Sequence, residues 1–261
     1  MSIETTRTGA VAVVTINRPE KMNALTREMR EGLIAAFEKI RFDPEIRAVI
    51  LTGAGSSFCA GADVDKMGDG SYARGIPAAR TRLQSLSHVY MRLLHALEKP
   101  VIAAVRGHAV GIGMSLALGC DILLASDTAR FGQTFRRIGL APDGGGIWYL
   151  SRRLPMNIAK ELVFTGRVID AAEARSLGLV NHVHPDTELM DRAMAMATDL
   201  AAGPTFALGL SKKLFHVASA PSMEDYLEYE AFVQPSLNQS EDHHEGVAAF
   251  RAKRKPAFKG R

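Results

Sequence analysis

The sequence predicts an α/β protein, on three observations. Residues 10–17 (AVAVVTIN) form a β-branched run ended by Arg18 and Pro19, the pattern of a buried strand entering a turn. The next segment repeats apolar residues at helical spacing, and residues 48–53 (AVILTG) return to strand, so the first unit reads strand, helix, strand. Further on, VIAAV (101–105) is an apolar run of the kind buried on both faces. The alternation of such runs with helical segments implies parallel strands joined by right-handed crossovers.

The elements follow in order. Thr26 can cap a helix whose apolar positions Met29, Leu33, Phe37 and Ile40 share one face, and Asp43-Pro44 stops it. Residues 76–99 carry a long helical pattern with Leu83, Leu86, Tyr90, Leu93 and Leu97 in one stripe, ended by Pro100. After the strand at 101–105 come a glycine-rich turn (GHAVGIG), a short apolar helix (MSLALG) and another strand (DILLAS). Past Ser151 the character is helical: PMNIAKELVFTG, AAEARSLG, a short strand in LVNHVHP, then helical segments from about Thr187 to the end. The expected organisation is a core over residues 1–195 with a helical region over 196–261, packed on that core or on a neighbouring subunit.

Composition narrows the function classes. A chain of 261 residues can bury a substantial core, and 47% hydrophobic with 23% charged residues is ordinary for a soluble globular protein. No apolar run reaches the ~18 residues that span a bilayer, so no membrane segment is predicted. The N-terminus shows none of the three regions of a signal peptide, which points to the cytoplasm. Cys59 and Cys120 are far apart without metal-ligand spacing and read as free, non-catalytic thiols. A net charge of +4 suits an anionic ligand and does not resemble a nucleic-acid surface. The terminal cluster KRKPAFKGR reads as a solvated tail.

Two loops follow strands and lead into helices: SSFCAGAD (56–63) and RGHAVGIGM (106–114). Glycine permits tight turns, and a helix start offers backbone N–H groups that can bind a developing oxyanion. Either loop alone is an ordinary strand-to-helix turn. With NRPEKMNAL (17–25), ARFGQ (129–133), GLAPDGGG (139–146), TGRVIDAAEARSLGLVNHV (165–183) and FRAKRKPAFKG (250–260), they make the chain resemble the crotonase, or enoyl-CoA hydratase/isomerase, superfamily.

That resemblance implies a spiral of strand-strand-helix turns and a C-terminal helical region that drives assembly into a homotrimer or a dimer of trimers. It implies an acyl-CoA thioester as substrate, with coenzyme A entering as part of that substrate and no permanently bound cofactor or metal. The thioester carbonyl would accept hydrogen bonds from the N–H groups of Ala62 and Ile112. Ile112 stands where the family usually has glycine, which keeps the donor but is expected to crowd the acyl chain. Met22, Ala24, Leu25, Ala60, Gly61, Ala62 and Asp63 would line the coenzyme A path, and Gly111, Ile112, Ser115 and Phe135 the acyl end. Phe250 and Lys253 would reach a neighbouring subunit's nucleotide.

Which carboxylate acts is a separate question. Hydratases of the family use two glutamates, and the matching positions here are Ser115 and Phe135. Hydration needs a water held, deprotonated and aimed, which serine does poorly and phenylalanine cannot do. Moving a double bond requires one base, and Asp143, the only acid in FGQTFRRIGLAPDGGG (131–146), occupies the loop position where similar isomerases carry theirs. Phe131, Phe135, Ile138 and Trp148 are the apolar walls expected to raise its pKa. The alternative reading makes Asp143 a cap for the helix starting in GGGIWYL.

Asp63 and Asp65 are expected to cap or face solvent, and Asp121 to be structural. His88 and His95 fall off the leucine stripe and read as solvent-facing, and His243-His244 as a polar helix start. The reading is therefore an enoyl-CoA isomerase, including ring-opening phenylacetate-type chemistry. A hydratase with non-standard residues, an aryl-CoA dehalogenase-like enzyme and a non-catalytic acyl-CoA binding protein remain as alternatives.

Overall fold

The computed structural model describes residues 2–63, 75–218 and 222–261. The chain opens with β1 (Ser2–Thr8) and β2 (Val11–Asn17), followed by helix α1 (Arg27–Phe42) and β3 (Ala48–Gly53). Thr26 caps α1 by accepting from the Met29 N–H, and Met29, Leu33, Phe37 and Ile40 are its buried residues, as the spacing predicts. Strand β1 belongs to the polar start that the sequence pattern does not mark; its side chains are nearly all exposed, and it is held by antiparallel pairing to β2.

Residues 76–99 do not form one helix. They divide into α2 (Gly75–Ser85) and α3 (Ser87–Ala96), with Leu86 at φ −121°, ψ −80° between them. The break frees α3 to bury Tyr90, Met91 and Leu94 against α1, while α2 buries none of its residues. Lys99 follows, its buried ammonium donating to the Ile40 and Asp43 carbonyls at 2.5 and 2.6 Å and so closing the C-terminus of α1.

Next come β4 (Val101–Val105), β5 (His108–Val110), α4 (Ile112–Leu118), β6 (Ile122–Ser126) and β7 (Arg130–Gly132). They are followed by α5 (Gly146–Arg153), α6 (Met156–Thr165), β8 (Ile169–Asp170), α7 (Ala171–Ser176) and β9 (His182–His184). The main sheet has six strands in the order β1-β2-β3-β4-β6-β9, all parallel after the first pair. A second, three-stranded sheet orders as β5-β7-β8. The short strands β5, β7 and β8 lie in segments that read as turns and helix flanks, because strands of two or three residues defined by long-range pairing leave no local period.

Period-two alternation sends the main sheet's apolar residues to both faces. Val14, Leu51, Ala103 and Leu123 join the core shared with α1, α3 and α4, whereas Val13, Ile50, Ile102 and Leu124 face helix α8 (Leu189–Ala202). Leu189, Ala193, Ala197 and Ala201 present a stripe at four-residue spacing, so α8 is an integral cover of the sheet. The 195/196 division expected between core and helical region falls inside this helix.

The last helices are α9 (Thr205–Val217), α10 (Met223–Asn238) and α11 (Glu241–Arg251). The chain is not helical to its end: residues after Arg251 fold back, with the Lys259 and Gly260 N–H groups donating to Asp242 at 2.6 and 2.8 Å. Nor is the basic tail simply solvated, since Arg254 forms a two-pronged pair with Glu245 and Arg261 pairs with Glu241. No described helix is long and apolar enough to cross a membrane.

Candidate active site

The two glycine loops meet edge to edge. Cys59 bridges Ala109 in parallel, and the Val110 N–H donates to the Cys59 carbonyl at 3.0 Å. A Cβ on Gly113 would stand 2.2 Å from the Cys59 carbonyl oxygen, so only glycine allows α4 to start this close to the first loop. Gly61 (φ +106°) and Gly111 (φ +57°) take left-handed or related backbone conformations that turn the following residues toward a shared cleft.

The segment around Met22 pins the first loop from behind. The Ala60 N–H donates to the Met22 carbonyl at 2.8 Å, the Leu25 N–H to Gly61, and the Asp63 N–H to the Leu25 carbonyl. Met22 and Asn23 themselves sit at positive φ, locked by the buried Asn23 side chain, which accepts from the Arg18 N–H and donates to the Ala54 and Ser57 carbonyls. Met22, Ala24 and Leu25 therefore shape the loop and do not line the cleft. Asp63 does not face solvent: it forms a 2.8 Å ion pair with Arg18, both side chains 8% exposed. Asp65 lies outside the described residues.

These bonds leave two donors over. Among the described residues, neither the Ala62 N–H nor the Ile112 N–H has an intramolecular acceptor. Both residues line one cleft of about 500 Å³, together with Ala60, Gly61, Gly111, Phe135 and Asp143. The structure thus brings together seven of the site residues read from the sequence.

The Ile112 side chain, expected to crowd the acyl group, is only 1% exposed and packs beneath the opposite loop, where a Cβ on Gly144 would come within 2.2 Å of its Cδ1. Ser115 is likewise not at the cleft surface. It is fully buried, donates to the Asp143 main-chain carbonyl at 2.9 Å and accepts from Gln133 Nε2 at 3.3 Å. Gln133 is thereby a supporting residue that its place in FGQ alone does not reveal.

Asp143 does not cap α5. Gly145 is the N-cap and no side chain serves there. One carboxylate oxygen, Oδ1, is buried without a hydrogen-bond partner among the described residues. Burial pushes the Asp143 carboxyl above the ordinary aspartate range, opposed by the charges of Arg30 and then His88. Of the expected apolar walls, Phe135 and Ile138 line the cleft. Phe131 is buried in the main core, and Trp148 is 40% exposed in a separate groove, because α5 turns it toward His95.

The histidines on α3 are not simply solvent-facing. His88 is half-buried and close enough to favour the Asp143 carboxylate. His95 stacks on His216 at 3.6 Å between ring centroids, and burial lowers both pKa values, that of His216 to about 4. His243 and His244 do stand at the start of α11, behind the Ser240 cap. Asp121 is structural as expected, accepting from the Val101 N–H and pairing with Lys212. Both cysteines are buried and free, with the Cys59 thiol pushed up to about 12.

Phe250, in the last turn of α11, and Lys253, just past its end, do not line the cleft of their own chain. Phe250 is 86% exposed. Sequence reasoning also missed Arg30, Ser87, His108, Arg137 and Leu140, which line the cleft. Isolated polar residues on helices and loops carry no local signal that they share a cavity.

Residues 6–261 match the family Enoyl-CoA hydratase/isomerase. A probable enoyl-CoA hydratase of Rhodobacter capsulatus is 41% identical over 96% of this chain and 95% of its own length. The 1,2-epoxyphenylacetyl-CoA isomerase of Escherichia coli is 38% identical, over 96% of this chain and 95% of its own. The crystal structure of an enoyl-CoA hydratase from a Polaromonas species superposes with a TM-score of 0.93 at 36% identity, covering 99% of this chain and 100% of that one. The chain has the crotonase fold and belongs to the enoyl-CoA hydratase/isomerase family.

Proposed function

We propose that the protein is an enoyl-CoA isomerase that moves a double bond with Asp143 as a single proton shuttle. The observation that carries this reading is that Asp143 is the only carboxylate among the described residues lining the cleft that holds the two unpaired N–H groups. The thioester oxygen of a 3-enoyl-CoA would accept from Ala62 and Ile112. The ionised Asp143 would take a proton from C2, the electron pair would delocalise into a dienolate held by the two donors, and Asp143 would return the proton to C4. Each such donor contributes about 3 to 4 kcal/mol of transition-state stabilisation.

Burial of Asp143 supports the role, since a base works best with its pKa near the working pH. The positions of both hydratase glutamates support it too: Phe135 offers no proton-accepting group, and the Ser115 hydroxyl is spent inside the protein on the Asp143 carbonyl. The similarity to a 1,2-epoxyphenylacetyl-CoA isomerase keeps ring-opening isomerisation within the same proposal. Phe250 and Lys253 fit a role at the nucleotide of an adjoining subunit in a trimer, being exposed and remote from their own cleft.

The test is conversion of a 3-enoyl-CoA to the conjugated 2-enoyl-CoA, followed by ultraviolet absorbance. Asp143→Asn, nearly isosteric, is expected to slow turnover by about 10²- to 10⁴-fold. An active wild type with a variant at full rate would refute the assignment. Hydration of crotonyl-CoA as fast as isomerisation would favour a hydratase, and tight coenzyme A binding without turnover of enoyl, dienoyl or aryl thioesters a binding protein.

A further inference from the structure

Three polar atoms near the Asp143 end of the cleft are buried without a hydrogen-bond partner among the described residues: Arg30 Nε, Asp143 Oδ1 and Tyr90 Oη. Arg30 is one residue past Met29 on α1, just off the stripe that enters the core, and it reaches the cleft lining beside Ser87. Its charge acts on both Asp143 and Tyr90, so the three groups are electrostatic neighbours. Yet Arg30 and Asp143 stand beyond ion-pair distance, and Arg30 makes no hydrogen bond or ion pair from its side chain among the described residues.

A guanidinium has five donors and accepts nothing. In an empty cleft water can serve it. A plain hydrocarbon acyl chain would displace that water and offer no acceptor, leaving a desolvated cation unpaired at high cost. Asp143 does not supply the acceptor, since its Oδ1 and Arg30 Nε are both buried without a hydrogen-bond partner among the described residues. The missing acceptor is then on the substrate itself.

We propose that Arg30 is a specificity-determining residue that binds an oxygen acceptor carried by the acyl group, so that the substrate class is an oxygenated acyl-CoA, bearing a carboxylate or a ketone, in preference to a plain hydrocarbon chain. This rests on the reading that the cleft holds the acyl group with its thioester at Ala62 and Ile112. Tyr90, fully buried behind the cleft, makes no contact with the substrate in this scheme.

The test is calorimetric titration of the full-length protein with three unreactive saturated thioesters of matched length: pentanoyl-CoA, glutaryl-CoA and 4-oxopentanoyl-CoA. Wild type is expected to bind at least one oxygenated thioester about 10-fold or more tightly than pentanoyl-CoA, the effect of a charge-assisted hydrogen bond. Preference for glutaryl-CoA identifies a carboxylate, and preference for 4-oxopentanoyl-CoA a neutral carbonyl.

Arg30→Met should abolish the preference, with pentanoyl-CoA bound more tightly than by wild type because no cation is left unpaired in the cleft. Arg30→Lys should keep part of a carboxylate preference, because a point charge remains without the planar fork. Equal binding of all three by wild type, a preference that survives in Arg30→Met, or no binding of any thioester would overturn the proposal. Because no turnover is needed, a confirmed preference in a protein that fails to isomerise 3-enoyl-CoA would refute the reaction and leave the Arg30 site standing.

Discussion

Replacing Gly144 by alanine probes the packing of the Asp143 loop against the Ile112 side chain. Gly144 lies at φ +59°, and an added Cβ would fall 2.2 Å from Ile112 Cδ1 and 3.3 Å from Ser115 Cβ. Ordinary carbon contacts lie at about 3.5 to 4.0 Å, so Ile112 would have to retreat by more than ~1 Å. It is 1% exposed, and the cleft it lines is the space into which it would be pushed. The left-handed backbone costs an alanine about 1–2 kcal/mol and overpacking about 1–3 kcal/mol, giving a loss of roughly 2–5 kcal/mol.

The two contributions separate in a cycle with Ile112→Val, which deletes Cδ1 at a cost of about 0.5–1.5 kcal/mol on its own. The double variant should recover most of the overpacking part, so the single losses exceed the double loss by about 1–2 kcal/mol. Urea denaturation of the wild type, both single variants and the double variant measures this. Turnover should fall further than stability alone dictates, since a ~1 Å misplacement of catalytic groups can cost about 10²-fold. Losses that add within about 0.5 kcal/mol, or an alanine variant as stable as wild type, would refute the packing argument.

The remaining expectations are these. The proposed isomerisation requires ionised Asp143, whose pKa burial raises, so the activity should be lost on acidification at a pH above that of an ordinary aspartate; Arg30→Met, removing the charge that opposes burial, should move this acid limb still higher. Ser115→Ala should cost about 0.5–1.5 kcal/mol of stability and lower kcat with little change in KM, because the hydroxyl holds the Asp143 carbonyl and not the substrate. Arg18→Met, which removes one partner of the buried Arg18–Asp63 ion pair, should destabilise by about 3–5 kcal/mol in thermal or urea unfolding, and Arg18→Met combined with Asp63→Leu should recover part of that.

The parts of the fold legible in the sequence are those whose signal is local. Helix α1 is one: its cap and its buried face are both written within one segment, at Thr26 and at Met29, Leu33, Phe37 and Ile40. The break between α2 and α3 is not local. Neither glycine nor proline marks Leu86, and the chain bends there because Tyr90, Met91 and Leu94 bury against α1, a tertiary demand that overrides an unbroken helical pattern. Helix α8 is similar. Its stripe of Leu189, Ala193, Ala197 and Ala201 is weakly hydrophobic, and only the sheet it covers shows why small residues are spaced there.

At the site, the positions of backbone groups are more legible than the surroundings of side chains. The family resemblance implies donors at Ala62 and Ile112, backbone groups whose placement needs only the turns that the neighbouring glycines permit. Whether Ser115 reaches substrate or protein depends on a carbonyl 28 residues away. The glycines after Asp143 show how such information is nevertheless stored. Gly144 leaves space for Ile112 Cδ1, and Gly145 ends the turn at φ +77° as an N-cap without a side chain. Gly146 lies where a Cβ would stand 2.6 Å from Ser115 Oγ and 2.7 Å from Gln133 Nε2. Three consecutive residues without Cβ atoms let the loop settle onto α4, and the helix that follows needs no capping carboxylate. The acid that begins the run is thereby released from structural duty and left facing the cleft, which is why a stretch with a single aspartate can hold the one carboxylate found, among the described residues, in the cleft with the two N–H groups that lack an acceptor there.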